Sequence, residues 1–534
     1  MQEKSVLILG AGLMQKPAIL SAKNLGCHTF VIDANPNAEA VPYADDFRQI
    51  DLKDREEILR YATELRQNAG LAGIFTAGTD FSASVSYAAE KLSLPSHSFE
   101  AALNASIKDR MRSCFKKAGV PSPEFYTVSK NNVSPQKLSF ITQTLGFPCV
   151  VKPVDNMGSR GCRMIRSEKE VVPAVNAALE NSRSESAIIE SYMDGPEYSI
   201  DAIVYNGTVT ITGFADRHIF FPPYFIETGH TMPTALADES KKLELIRCFA
   251  RGIHALGLTT GAAKADIKYT EKGAEIGEIA ARLSGGYMSG WTYPYSSGCN
   301  LTEQALLIAV GEEPSYLLQN RFPLPVKDCP FELFILPSEN VSAERAWISI
   351  PGIIKAVDGL DGAGKISGIK NVFPRPVKAG DRIDFPRNNV QKCGNVISLN
   401  SDYELSVSQA EKACSKILIR LEPNDPETDA FLSGASDPEE EGFPPAAFSA
   451  FKDISRLCIP AVIPENTSVL SNASQELLKA LDSPERDWNY LTALETARRF
   501  DLLVPVHPQL DGLKFWSALL KGGIQGAIYV SDSI

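Results

Sequence analysis

The sequence predicts an α/β chain with α+β portions further along, and three features predict it. Residues 5–95 alternate short apolar strands with amphipathic helices, the rhythm of a parallel, doubly wound sheet. A strand at 149–152 ends on a lysine and runs into a loop, Asp155-Asn156-Met157-Gly158-Ser159-Arg160-Gly161. Residues 262–282 read as a charged β-hairpin turning at 270–273. At 534 residues the chain exceeds what one core supports, so several domains are expected.

Taken in order, a strand at 6–9 stops at Gly10, followed by a helix over 16–25, a strand at 29–33, a helix over 54–67 and a strand at 73–75. Gly10-Ala11-Gly12 and Asp33 match part of a dinucleotide fingerprint, but Gln15 holds the third glycine position. A tight strand-to-helix turn is the simpler account. After Pro95 one helix is expected through Lys108 and Phe115, closed by Gly119-Val120-Pro121-Ser122-Pro123. Residues 1–122 thus form a Rossmann-like domain and residues 123–196 a small α/β unit.

Residues 197–421 hold strands of period-two pattern, a long helix near 240–256, a β-rich part from 331 and a helix near 408–419. Residues 422–445, rich in Asp, Glu, Pro, Ser and Gly, read as a flexible acidic linker. Residues 446–534 regain apolar patterning as an α/β appendage. A helix is expected there near 488–499, with strands at 502–506 and 526–530, and the appendage carries no motif.

Charge and cysteines exclude several classes. The net charge of −12 argues against nucleic acid or an anionic membrane as partner. Eight acidic residues fall between Glu422 and Glu441 with no basic one, which leaves −4 for the rest of the chain. No window approaches the ~20 apolar residues of a membrane span, and the first apolar run is too short for a signal-peptide core. The ten cysteines form no Cys-x-x-Cys pair and no zinc-ligand spacing, so reduced thiols and a cytoplasmic location are expected.

The chemistry concentrates in four places. Lys152 at a strand end, beside a loop carrying Ser159 and Gly161, is placed to neutralise phosphate oxygens under backbone N–H groups. The run Glu190-Ser191-Tyr192-Met193-Asp194-Gly195-Pro196-Glu197 forms a hinge whose backbone would hold adenine and whose Glu197 would accept from ribose hydroxyls; acids on an exposed turn are the rival account. In the hairpin, counting out from the turn sets Asp266 opposite Glu278, with Arg282 on the same face as Glu278. Two facing carboxylates beside an arginine make an oxygen-ligand Mg²⁺ site next to a cation for phosphate; a cross-strand set of exposed charges balanced by Lys264 and Lys268 is the rival account. Ser284, Gly285 and Gly286 follow, with backbone amides for a developing oxyanion. Arg217 and the stretch Glu227-Thr228-Gly229-His230 form the expected substrate-facing part. There His230 either handles a proton or serves as a structural hydrogen-bonder. The aromatic run Phe220–Phe225 either lines an apolar pocket or packs a core.

Lys108, Lys152 with its glycine loop, the hinge from Glu190 to Glu197, Asp266 and Glu278-Ile-Ala-Ala-Arg282 resemble the ATP-grasp superfamily in chain order, over about residues 1–420. Biotin carboxylases, carbamoyl-phosphate synthetase large chains and L-amino-acid ligases share that arrangement. Glu-x-Gly-His before Pro233 is similar to a motif of L-amino-acid ligases and short carbamoyl-phosphate-synthetase-like proteins. The resemblance implies an ATP-grasp fold in which residues 123–196 form the lid, Lys108 and Lys152 bind phosphates and Glu197 meets ribose. It also implies that Asp266 and Glu278 hold Mg²⁺, or Mn²⁺ in its place, and that Arg282 stabilises an acyl phosphate. Two positions depart from the pattern: Asp266 stands where glutamate is common, and Ala280 replaces an asparagine that would supply one more oxygen.

The expected activity is ATP-dependent joining of a small carboxylate, such as an amino acid, to an amine, by an enzyme taken by default as a homodimer. A carbamoyl-phosphate-synthetase-like reaction on bicarbonate is the nearest rival. A non-catalytic ATP-binding regulator and a dinucleotide-dependent oxidoreductase are the rivals from other classes.

Overall fold

The computed structural model describes residues 4–435 and 442–534. The chain divides into two compact units, one of residues Met1–His218 and His230–Ser342, the other of Ile219–Gly229 and Ala343–Ile534.

The first unit opens with four parallel strands in the order Asp46–Gln49, His28–Asp33, Ser5–Leu9 and Leu71–Phe75. The Ser5–Leu9 strand at the centre is buried along its whole length, whereas the edge strand Asp46–Gln49 buries none of its residues. The helix Arg55–Asn68 is capped by Asp54, whose side chain accepts from Glu57 N, and buries Ile58, Ala62 and Leu65. The single helix expected after Pro95 is two helices, Phe99–Ser106 and Lys108–Ala118. Ile107 between them is extended, and Lys108 N donates instead to Val154 O at 2.9 Å. That break brings Lys108 to the loop after the strand Cys149–Pro153.

The small α/β unit is a sheet in the order Phe125–Ser129, Ser186–Ser191, Cys149–Pro153 and Arg163–Ile165, all antiparallel. The central sheet runs Gly273–Ala280, Gly261–Thr270, Glu197–Tyr205 and Thr208–Phe220, again antiparallel. The helix Glu239–Leu256, capped by Asp238 and ended by left-handed Gly257, shares an apolar core with that sheet through Leu245, Phe249 and Ile253.

In the second unit the expected boundary between a β-rich part and an appendage disappears. One apolar core takes Trp347 and Phe385 together with Phe448, Trp488, Phe500 and Trp516. The expected linker is helical over Pro426–Leu432 in its described part: Asp425 caps the helix and Phe431 and Leu432 are buried. Residues 436–441 of that linker lie outside the described residues. The helix near 488–499 begins later, at Ala493–Leu503, behind a capping box of Thr492 and Glu495. The strands expected at 502–506 and 526–530 are absent, the second replaced by the helical segment Gly512–Asp532, which is broken at non-helical Gly523 (φ 61°, ψ −146°) and buried over most of its length. An apolar run buried on every side lacks the periodicity that separates helix from strand.

Two residues of the aromatic run pack against the core, Phe221 5.2 Å from Phe385 and Tyr224 4.8 Å from Phe443, ring centre to ring centre, while Phe220 is exposed. All ten cysteines are unpaired. No described helix is long and apolar enough to cross a membrane.

Candidate active site

The glycine turn after the first strand is bonded and packed by its own residues. Asp33 Oδ2 accepts from Ala11 N at 2.8 Å and Oδ1 from Asn35 N at 2.9 Å, so its carboxylate is spent inside the turn. The Gln15 side chain lies over Gly10, with Cδ 3.1 Å from where a Cβ would stand, and its amide donates to Ala77 O. The oxidoreductase reading rested on these glycines, and they build a packed turn.

The hairpin has the expected register, with Asp266 opposite Glu278. The neighbouring strand adds Ser199 opposite Asp266 and Asp201 opposite Lys264. Asp266 accepts from Lys264 Nζ and Arg217 at 2.5 Å each. Arg217 also reaches Glu197 at 2.7 Å, and Lys268 stands 3.5 Å from Glu197. Glu278 lies 3.5 Å from Lys108 Nζ. Burial alone would raise the Glu278 pKa, yet the charges of Lys108, Lys264, Lys152 and Arg282 hold it down to about 2. It therefore stays ionised at any working pH.

Two carboxylates paired across one hairpin fit Mg²⁺, which keeps waters and takes further oxygens from phosphate. A closed protein cage would need more: among the described residues no group of three or more His, Cys, Asp or Glu converges on one point. The surrounding cations supply the complementary half of a polyphosphate site.

Lys152 is fixed by a buried ion triad. Its Nζ is 2.6 Å from Glu190 Oε2, and Arg112 Nε is 2.7 Å from Glu190 Oε1. Arg112 is fully buried and donates a second bond to Gly277 O at 2.6 Å. Lys108 Nζ donates to Asn156 O at 2.9 Å, at the start of the glycine loop. Gly158, Ser159 and Gly161 have φ of 67°, 60° and 68°, a left-handed path that favours glycine. At Gly161 a Cβ would lie only 2.8 Å from Asn181 Cβ.

Two expected roles narrow on the geometry. The amides of Ser191 and Tyr192 are not open to adenine, because they donate to Glu124 O and Pro148 O, where the strand Ser186–Ser191 pairs with its neighbours. The Glu190 side chain faces the cations of the triad. Likewise Ser284 N is already donated, to Asp201 Oδ2 at 3.1 Å. The amides of Gly285 and Gly286 carry no such bond among the described residues. Gly285 is pressed against Gly78, whose N donates to Leu283 O at 3.3 Å.

Arg282 donates to Leu283 O at 3.0 Å and stands 3.5 Å from Asp80, while its buried Nε has no partner. His230 is fully buried, with Nε2 2.8 Å from Thr292 Oγ1, the position of a structural hydrogen-bonder.

Sequence reasoning missed Arg112, Asp201 and Asp80. Arg112 carried one signal, a charge among the inward positions Lys108, Met111 and Phe115 of its helix. Asp201 sits in a buried strand. Burial pushes its pKa up to about 6, against the pull of Ser284, Lys264 and Arg282.

A carboxyl raised on folding contributes fully below its unfolded value of 3.8 and loses that contribution as pH rises through about 6. Asp201→Asn keeps an oxygen for Ser284 N without the ionisation. Its stability relative to wild type is expected to rise by up to about 3 kcal/mol between pH 3.8 and 7. Urea midpoints of both chains across that range check this, and a flat difference would contradict it.

Residues 145–290 match the family model of the ATP-grasp domain, residues 19–96 the ATP-grasp N-terminal domain, and residues 346–422 the L-amino acid ligase C-terminal domain 2. Carnosine synthase 1 of Mus musculus is 23% identical over 340 residues, which are 59% of this chain and 40% of that protein. The chain therefore spans well under half the length of this relative. The structure of L-amino acid ligase from Bacillus licheniformis is similar with a TM-score of 0.64 and 19% identity, over 79% of this chain and 100% of that one. The biotin carboxylase domain of Hydrogenobacter thermophilus 2-oxoglutarate carboxylase, solved with MgADP and bicarbonate, gives 0.58 and 19% over 78% and 91%.

Proposed function

This chain is an ATP-grasp protein, and we propose that it is an ATP-dependent ligase joining a small carboxylate, an amino acid or a near relative, to an amine. The observation that carries the reading is one charged face. Asp266 and Glu278 stand opposite each other on the hairpin, and Lys108, Lys152, Lys264 and Arg282 supply the charges that hold Glu278 ionised. That arrangement suits transfer of a phosphoryl group, which needs positioning and charge stabilisation more than a covalent nucleophile. The match of residues 346–422 to an L-amino acid ligase domain favours an amino acid over bicarbonate.

In this reading a carboxylate oxygen attacks the γ-phosphorus, the bond to the β-phosphate oxygen breaks and ADP leaves. The amine nitrogen then attacks the acyl carbon, phosphate leaves with the carboxylate oxygen, and the nitrogen gives up a proton. Asp266 and Glu278 would hold Mg²⁺, whose charge would offset that of the transferring phosphoryl group. Lys152, held in place by Glu190, and Lys108, tied to the loop at Asn156, steady the phosphates. Arg282, with an unpartnered Nε, and the amides of Gly285 and Gly286 receive the oxyanion. The loop 155–161 excludes water from the acyl phosphate. A cytoplasmic location and homodimeric assembly complete the reading, the first in keeping with ten unpaired thiols.

Mg-ATP-dependent phosphate release by the purified chain, screened against pooled amino acids and small carboxylates, tests it. Release stimulated by one pool and lost in Lys152→Ala and Glu278→Ala is the expected outcome. ATP binding without any stimulated release would favour a regulator, and absence of ATP binding would overturn the proposal.

A further inference from the structure

Arg217 was expected to face the substrate, yet its guanidinium lies between two carboxylates of the central sheet. It stands on the strand Thr208–Phe220 opposite Glu197, which has Lys268 opposite it on the other side. Asp266 faces Ser199 of the same middle strand, and Ser199 faces Ala215. To reach Asp266 the guanidinium must cross that strand, whose two neighbours are about 10 Å apart. The small side chains of Ser199 and Ala215 leave the path open. Arg217 Nη1 arrives 2.5 Å from Asp266 and 2.7 Å from Glu197, with 10% of the side chain exposed.

The contact at Asp266 is a crowded one. Oδ1 takes Arg217 Nη1 and Lys264 Nζ together, each at 2.5 Å, so one negative charge faces two cations at the same oxygen. The facing acid, Glu278, has Lys108 Nζ at 3.5 Å. A divalent ion held by Asp266 and Glu278 must take the oxygen that Arg217 and Lys264 share. Arriving alone, it meets three cations in a little-exposed place where charge is weakly screened. Arriving with a triphosphate, it brings anionic oxygens that those cations can turn to. The metal–nucleotide complex, negative overall, is therefore favoured where the free ion is opposed. Glu197, the acid expected at the ribose, shares the same guanidinium, which links the two ends of the nucleotide.

We propose that Arg217, with Lys264, is a resident countercharge of the metal position. It keeps a free divalent ion off Asp266 and yields when nucleotide phosphates arrive, so that metal and nucleotide enter as one ligand. The proposal rests on the assignment of Asp266 and Glu278 to the metal in the ligase reading above. It goes beyond that reading in making metal entry conditional on nucleotide.

Electron paramagnetic resonance of Mn²⁺ titrated into the full-length chain, with and without ATP, tests it. Arg217→Gln is expected to bind Mn²⁺ alone at least about tenfold more tightly than wild type, because a unit charge beside the ion is gone. Arg217→Lys keeps the charge and should stay within about threefold of wild type. For Mn-ATP all three should agree within about threefold, since the charge that opposed the ion also attracted the phosphates. If Arg217→Gln does not fold, Lys264→Gln takes the other cation off the same oxygen and carries the same expectation.

Equal affinity of wild type and Arg217→Gln for Mn²⁺ alone overturns the proposal. Equal tightening in Arg217→Lys overturns it too, by tracing the effect to shape and not to charge. Tight Mn²⁺ binding that survives adding Glu278→Gln to Arg217→Gln puts the ion elsewhere, and the proposal falls with the metal assignment. Failure of the ligase reading has a different signature: the Mn²⁺ pattern holds, and no amino-acid pool stimulates phosphate release.

Discussion

Glu190→Gln is expected to cost the first unit about 3–5 kcal/mol and to weaken Mg-ATP binding at least tenfold. The glutamine keeps the shape of the side chain but removes its charge. Arg112, fully buried, then has no countercharge, and Lys152 loses the carboxylate 2.6 Å from its Nζ. Leaving a buried charge unpaired costs far more than the pair contributes net, because the Coulombic gain had offset desolvation that remains.

The triad also gives a pH signature. Burial would raise the Glu190 pKa, but Arg112 and Lys152 hold it below 4.5. A depressed carboxyl contributes stability above its unfolded value, and that contribution is lost as pH falls through the folded one. Wild type should therefore lose more stability than Glu190→Gln on acidification below pH 4.5. Urea unfolding at several pH values and nucleotide titration check both parts. The double variant Glu190→Gln, Arg112→Met should recover part of the loss, since it removes the stranded charge as well. A single variant as stable as wild type would show that the triad is not what fixes Lys152.

Much of this site was legible where the deciding interactions are local. The hairpin register follows from the turn position and the period of two, so Asp266 and Glu278 could be paired from sequence. The parallel domain announced itself by alternating strands and helices. What stayed hidden depends on groups distant in sequence. Nothing near Glu190 says that its side chain meets Arg112, 78 positions earlier, or that Ser191 N is taken by Glu124 O. Ser284 N was read as an oxyanion donor because Asp201, on another strand, could not be seen beside it. The break at Ile107 is likewise tertiary, since Lys108 N finds its acceptor at Val154. The helix Gly512–Asp532 failed as a strand pattern for the opposite reason: its surroundings bury every side, so no polar stripe records its period.

The second large effect is expected at Arg282, the residue that follows the hairpin of Asp266 and Glu278 into the glycine turn. Arg282→Ala should lower single-turnover phosphate release about 10³-fold, equivalent to about 4 kcal/mol of transition-state stabilisation. Its guanidinium is anchored at one end by Leu283 O at 3.0 Å and lies 3.5 Å from Asp80, which orients the group without consuming it. The buried, unpartnered Nε leaves a donor for charge that develops only as the reaction proceeds. An interaction made in the transition state and not in the ground state lowers the rate when lost, and leaves affinity alone. Binding of Mg-ATP should accordingly change by no more than about threefold, because Lys108 and Lys152 remain to hold the phosphates. Arg282→Lys restores the charge but not the planar fork of donors, and should regain about tenfold of the lost rate. Quenched-flow measurement of phosphate formation from preloaded enzyme separates these cases. A loss below tenfold in Arg282→Ala, or an equal loss of nucleotide affinity, would move the oxyanion role from Arg282 to the amides of Gly285 and Gly286.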